Sequence, residues 1–115
     1  MGTLGPVWII GAGGFGRETL NVYRDAGRSG EVAGFLEEHC ALPGRLVNGK
    51  PVQDWSMLAS LPQGTQLIAA IGSAARGRLI DEAARRGIAF DTAIHPTVNR
   101  SPWVTIGAGC IIGAN

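Results

Sequence analysis

"VWIIGAGGFGRETL", residues 7–20, joins a four-residue apolar run to a glycine loop and then to a helical pattern. Val7, Trp8, Ile9 and Ile10 read as a short parallel strand covered on both faces, because no polar residue alternates with the apolar ones. Beyond the loop, Phe15, Thr19, Val22, Tyr23 and Ala26 recur at helical spacing, and Gly27 stands where a glycine ends a helix. Gly11, Gly13 and Gly16 therefore hold the G-x-G-x-x-G spacing between a strand and a helix. In that setting the first glycine allows the tight turn, the second lets a ligand approach the backbone, and the third lets helix pack on strand. The helix N-terminus carries about half a positive charge, so a phosphate there needs no lysine.

Working outward, "EVAGFL" (31–36) is a second strand candidate. "EEHCALPGRLVNGKPV" (37–52) is an irregular excursion with turns at Pro43-Gly44 and Asn48-Gly49, and Val52 belongs to a brief strand. "TQLIAAIG" (65–72) reads as a buried strand. "SAARGRLIDEAARRG" (73–87) reads as a helix capped by Ser73, with Leu79, Ile80 and Ala83 inward, Arg85 and Arg86 near its negative end, and Gly87 stopping it. Strands alternating with helices predict an α/β fold, a Rossmann-like parallel sheet with helices on both faces and right-handed crossovers, over residues 1–93.

From Ile94 the pattern changes to a period of six: "IHPTVN", "RSPWVT", "IGAGCI" and an incomplete "IGAN". Ile94, Arg100, Ile106 and Ile112 start the hexads, and Val98, Val104 and Cys110 are their small fifth residues. A hexapeptide β-helix needs an inward first residue and a small fifth one at each corner. Residues 94–115 are thus expected to open a left-handed β-helix, Arg100 marking an irregular first coil. A plain Gly/Ala-rich final strand is the competing account.

Composition narrows the function classes. The 115 residues allow one compact domain with a short appendage, 17% are charged, and the net charge is +1. No basic run marks a nucleic-acid binder, and the seven aromatic residues are scattered, so a small-molecule partner is expected. The N-terminus lacks a basic n-region and its apolar stretch is too short for a signal peptide or a membrane span, which predicts a cytoplasmic protein without membrane contact. Cys40 and Cys110 form no C-x-x-C, and with His39 and His95 they give no chelating pair, so reduced thiols and no metal are expected.

Glu37 lies 21 residues after Gly16, where an acid holds a ribose 2′-OH in nicotinamide enzymes, and where it can equally hold the ribose or sugar of a nucleotide-sugar. A solvated strand end is the simpler account of the Glu37-Glu38 pair. "IIGAGGFGRE", "GFLEE", "NGKPV", "AAIGSAAR" and "IHPTV" followed by hexads, in this order, resemble the bacterial sugar O-acyltransferase family. That family includes sialic acid O-acetyltransferases and UDP-4-amino-sugar N-acetyltransferases. The resemblance runs from Val7 to Asn115.

The resemblance implies a nucleotide-sugar-binding domain followed by a β-helix that trimerises and holds acetyl-CoA between subunits. Gly11, Gly13, Gly14, Phe15 and Gly16 would surround the diphosphate or sugar of a UDP-sugar, with Arg17 close by. Glu37 and Glu38 stand where many members have Asp-Asp, and the longer side chain changes the reach of that contact. Gly72, Ser73 and Arg76 match the segment that contacts uridine, although Arg76 is equally a helix-surface arginine. The family's general base is a histidine of a later coil, so no catalytic residue is expected within these residues, and the chain alone is expected to bind without acetylating. His95, in "IHP", is expected to be structural. A nicotinamide-dependent oxidoreductase fragment and a non-catalytic ligand-sensing or assembly module are the alternative readings.

Overall fold

The computed structural model describes residues 5–72, 74–98, 109 and 111–113. Strand β1, Val7–Ile10, lies inside a six-stranded sheet, and all four of its residues are buried. Its side chains alternate between two cores. Val7 and Ile9 join Leu20, Val22 and Tyr23 of helix α1, Gly14–Asp25, on one face. Trp8 and Ile10 join Leu79 and Ala83 of helix α2, Ala75–Arg85, on the other. A strand covered from both sides has no solvent face, which is why its sequence shows no alternation. Burying each large side chain there contributes about 1.5–3 kcal/mol.

The remaining strands of this sheet are β2 (Val32–Glu37), β3 (Leu46–Val47), β4 (Lys50–Asp54), β5 (Gln66–Ala69) and β6 (Ala89–Phe90). Their order is β3-β4-β2-β1-β5-β6. All neighbouring pairs are parallel except β3 with β4. This mostly parallel sheet with α1 and α2 on opposite faces is the Rossmann-like arrangement. Inside the excursion, Asn48 and Gly49 both have positive φ (49° and 84°) and close the β3–β4 hairpin. On β2, a Cβ at Gly34 would lie 2.4 Å from the Pro51 carbonyl oxygen and 2.7 Å from the Trp8 ring. Tryptophan and the neighbouring strand fill the space a side chain would need.

Two local expectations shift. Strand β2 runs one residue later than "EVAGFL", and α2 begins at Ala75 with Ala74 at the N-cap position and no side-chain cap bond there. The expected cap, Ser73, lies outside the described residues.

The chain returns from β6 against the C-terminal end of α1. Tyr23 Oη donates to Asp91 Oδ2 at 2.5 Å, and the same oxygen accepts from Arg28 Nη2 at 2.7 Å. Arg28 also pairs with Glu31, reaches the Thr92 carbonyl, and lies 4.9 Å from the Tyr23 ring centroid. A second, two-stranded sheet pairs β7 (Ala93–Ile94) with β8 (Ile111–Ile112) in parallel, Ala93 opposite Ile111. Ala93 is buried in the core beneath α1. His95 Nε2 lies 2.8 Å from Asp25 Oδ2 on α1, and its Nδ1 lies 3.1 Å from the Thr97 backbone nitrogen. The hexad positions Arg100, Val104, Ile106 and Cys110 lie outside the described residues.

Candidate functional site

The glycine loop sits at the carboxyl edge of the sheet, where ligands bind in open α/β sheets. Gly11 has φ 101° and donates its N–H to the Leu36 carbonyl at 2.9 Å, turning the chain off β1. A Cβ on Gly16 would lie 2.0 Å from the Gly11 carbonyl oxygen, so the helix seats directly on the strand end. Nothing lies within 4 Å of a Cβ built on Gly13. The first helical bond runs from Arg17 N–H to the Gly13 carbonyl, which leaves the N–H groups of Gly14, Phe15 and Gly16 without intrahelical acceptors. No acid lies in the first turn to offset the positive end of the helix.

Beside this loop opens a cleft of about 420 Å³. One wall is Gly11, Ala12 and Gly13, another is Glu37 and Glu38 at the end of β2, and Ile71, Ala75 and Leu79 close the third side. Ile10 and Leu36 give it an apolar floor. The two carboxylates are not free. Glu37 accepts from Arg45 Nη1 and Nη2 at 3.0 and 2.9 Å, and Glu38 accepts from Arg78 Nη1 and Nη2 at 2.8 and 2.7 Å. The second pair crosses from the end of β2 to α2. The Arg78 guanidinium holds the Glu38 carboxyl below the ordinary carboxylate range. Asp54, opposite Glu37 in the ladder, accepts from the N–H groups of Ser56 and Cys40. Those bonds, Ser56's first, keep its carboxyl below the usual range and pin the turn after β2 to the end of β4.

Of the residues nominated from the sequence, Gly11, Gly13, Glu37 and Glu38 line this cleft. Gly14, Phe15, Gly16 and Arg17 form the first turn of α1 behind it, with Phe15 exposed and Gly16 buried under the loop. Gly72 and Arg76 are exposed and do not line the cleft, where Ile71, Ala75 and Leu79 stand instead. Arg78 was missed. Helical periodicity held the clue, since positions 75, 78 and 79 share a face and position 76 is turned about 100° away. Arg45 had no such signal, because only the folded excursion carries it to Glu37.

The PglD N-terminal domain family matches residues 6–83, the segment that builds this cleft. The chain belongs to that family. No curated protein sequence matches this PglD-type domain. Solved structures do. It is 34% identical to a mutant of perosamine N-acetyltransferase from Caulobacter crescentus in complex with CoA and GDP-perosamine, with TM-score 0.82 over 97% of this chain and 53% of that one. It is 27% identical to the acetyltransferase domain of PglB from Neisseria gonorrhoeae in complex with acetyl coenzyme A, with TM-score 0.79 over 97% of this chain and 54% of that one. A Rex-family repressor, 19% identical with TM-score 0.63 over 98% of this chain and 54% of that one, shares the fold. The PglD-type domain thus spans about half the length of the structures it matches.

Proposed function

We propose that these residues are the nucleotide-sugar-binding part of an acetyl-CoA-dependent sugar acetyltransferase. The observation that carries this reading is the cleft itself, in which a glycine turn leading into a helix N-terminus with no acid in its first turn lies beside two carboxylates at the end of β2. The backbone N–H groups of α1 would hold the diphosphate, and the apolar floor would receive the base. The perosamine N-acetyltransferase complexes with CoA and GDP-perosamine support it at 30–35% identity. The reading covers UDP-linked sugars, expected from the sequence, and GDP-linked sugars, which the perosamine N-acetyltransferase structures hold.

The domain division at residue 93 and the opening of a hexapeptide β-helix at 94 belong to the same proposal. Their support is the parallel pairing of Ala93 with Ile111, three hexads further along the chain. In the whole enzyme a sugar amine or hydroxyl would attack the thioester carbonyl of acetyl-CoA, releasing the CoA thiol, in a homotrimer whose later coils supply the base. The cleft residues described here would orient the acceptor. Among the described residues, no helix is long and apolar enough to cross a membrane, and no cluster of metal-ligating side chains occurs.

Thermal scans with UDP, GDP, UDP-sugars, GDP-sugars, NAD and NADP test the reading. Either class of nucleotide-sugar is expected to raise the melting temperature by several degrees at about 100 times its dissociation constant, where binding contributes about 2.7 kcal/mol. A shift with NAD or NADP alone would point to the oxidoreductase alternative.

A further inference from the structure

A second groove, of about 360 Å³, is lined by α1 and by the residues that follow β7 and β8. Glu18, Asn21, Val22 and Asp25 form the helical wall, and His95 and Gly113 stand opposite. Positions 18, 21, 22 and 25 share one helical face, which is why they line it together. None of the six residues lines the cleft beside the glycine loop.

At this groove a hydroxyl, an imidazole and a carboxylate stand in a chain. Thr97 Oγ1 lies 2.8 Å from His95 Nδ1, and His95 Nε2 lies 2.8 Å from Asp25 Oδ2. Pro96, between the first two, has a fixed φ, and the Thr97 backbone nitrogen also lies 3.1 Å from Nδ1. A short, stiff turn thus holds the hydroxyl against the ring. Thr97 is exposed, whereas the His95 side chain is withdrawn from solvent. A hydroxyl within reach of a base that a third group orients is the arrangement that activates an otherwise weak nucleophile. The nucleotide-sugar reading uses none of the three residues.

We propose that Thr97 and His95 form an acyl-transfer site for small uncharged carboxylic esters, with Asp25 as the positioning residue that holds the imidazole. With its Nε2–H toward Asp25, His95 takes the Thr97 proton at Nδ1 as Oγ1 attacks the ester carbonyl. The ester C–O bond breaks, the alcohol leaves with that proton, and acyl-Thr97 remains. Water, deprotonated by the same nitrogen, then releases the carboxylic acid and restores the Thr97 hydroxyl. Asn21 shares the groove and supplies amide N–H donors for the charge that develops on the carbonyl oxygen. Glu18 and Asp25 make the groove acidic, which disfavours phosphate-bearing thioesters such as acetyl-CoA and favours uncharged esters.

4-Nitrophenyl acetate is the probe, with 4-nitrophenol release and the mass of the acid-quenched full chain followed together. Wild type is expected to release 4-nitrophenol at a saturable rate, and any acetyl group gained should map to Thr97. Thr97→Ala and His95→Gln should each lower the rate about 100-fold or more, and Thr97→Ser should restore it. Thr97 is exposed, so both of its variants should keep the wild-type melting temperature and test chemistry rather than folding. Asp25→Asn should lower the saturating rate about tenfold or more and leave the half-saturating ester concentration unchanged, a split that general loosening of the groove would not give. Acetyl-CoA should leave Thr97 unmodified. No release above the buffer rate, an undiminished rate in Thr97→Ala, an acetyl group mapped to another residue, or acylation by acetyl-CoA as fast as by the ester would each overturn the assignment. None of these outcomes bears on the nucleotide-sugar reading, which the thermal scans test separately.

Discussion

At Gly16 the tolerance for a methyl group is decided by one carbonyl oxygen, 2.0 Å from where the Cβ would sit, and both partners are backbone. Neither can rotate away, so Gly16→Ala should force α1 off the end of β1 and cost several kcal/mol in a urea titration, at or beyond the range of overpacked cores. Gly13→Val has the opposite profile. Its side chain enters open space and a helix N-cap tolerates it within about 1 kcal/mol, yet it fills the approach to the α1 N-terminus. It should fold with near wild-type stability and lose the nucleotide-induced thermal shift. Tyr23 supplies a second test. Burial, and then its bond to Asp91, push its phenol well above the ordinary value of about 10. The folded chain keeps the proton that the unfolded chain releases near pH 10, so this stability is present below pH 10 and is lost as pH rises beyond it. Tyr23→Phe should cost about 1–2 kcal/mol at neutral pH, since Asp91 retains Arg28, and should flatten the fall in melting temperature between about pH 9 and 11.

Among the elements, α2 both covers a sheet face and closes the cleft. Leu79 is 3% exposed and touches both the core and the cleft. Leu79→Ala should lower stability by about 2–4 kcal/mol in denaturant titrations and also weaken nucleotide binding. The β1–loop–α1 unit was legible from sequence because everything that forms it is local: an apolar run, three spaced glycines and a helical stripe. The Asn48-Gly49 turn was legible for the same reason. The ends of β2 and α2 were less so, since ladder pairing and a cap position without a side-chain bond decide them. Glu37 and Glu38 could be placed at the cleft by counting from the glycines. That both are capped, and by Arg45 and Arg78, could not be counted, because those contacts depend on how the excursion folds back and how α2 is rotated.

Across the molecule, α1 links the cleft at its first turn to the junction at its last. Tyr23, Asp25 and Arg28 hold Asp91, His95 and Thr92. Asp25→Ala removes the Nε2 partner of His95, whose side chain is only 12% exposed. Amide exchange of Ala93 to Val98 should then quicken by about tenfold, while the strands of the large sheet keep their protection. Equal quickening in β1 would show that the junction and the sheet open as one unit.

The packing at Gly34 has a consequence for how related sequences can drift. The Trp8 ring and the Pro51 carbonyl fill the space above this glycine, so the three positions share one volume. A side chain gained at position 34 is admissible only where position 8 has already become smaller and strand β4 has moved outward. Among descendants of this domain, positions 8, 34 and 51 should change together or stay fixed, and a chimera carrying only one member of a changed set should fail to fold.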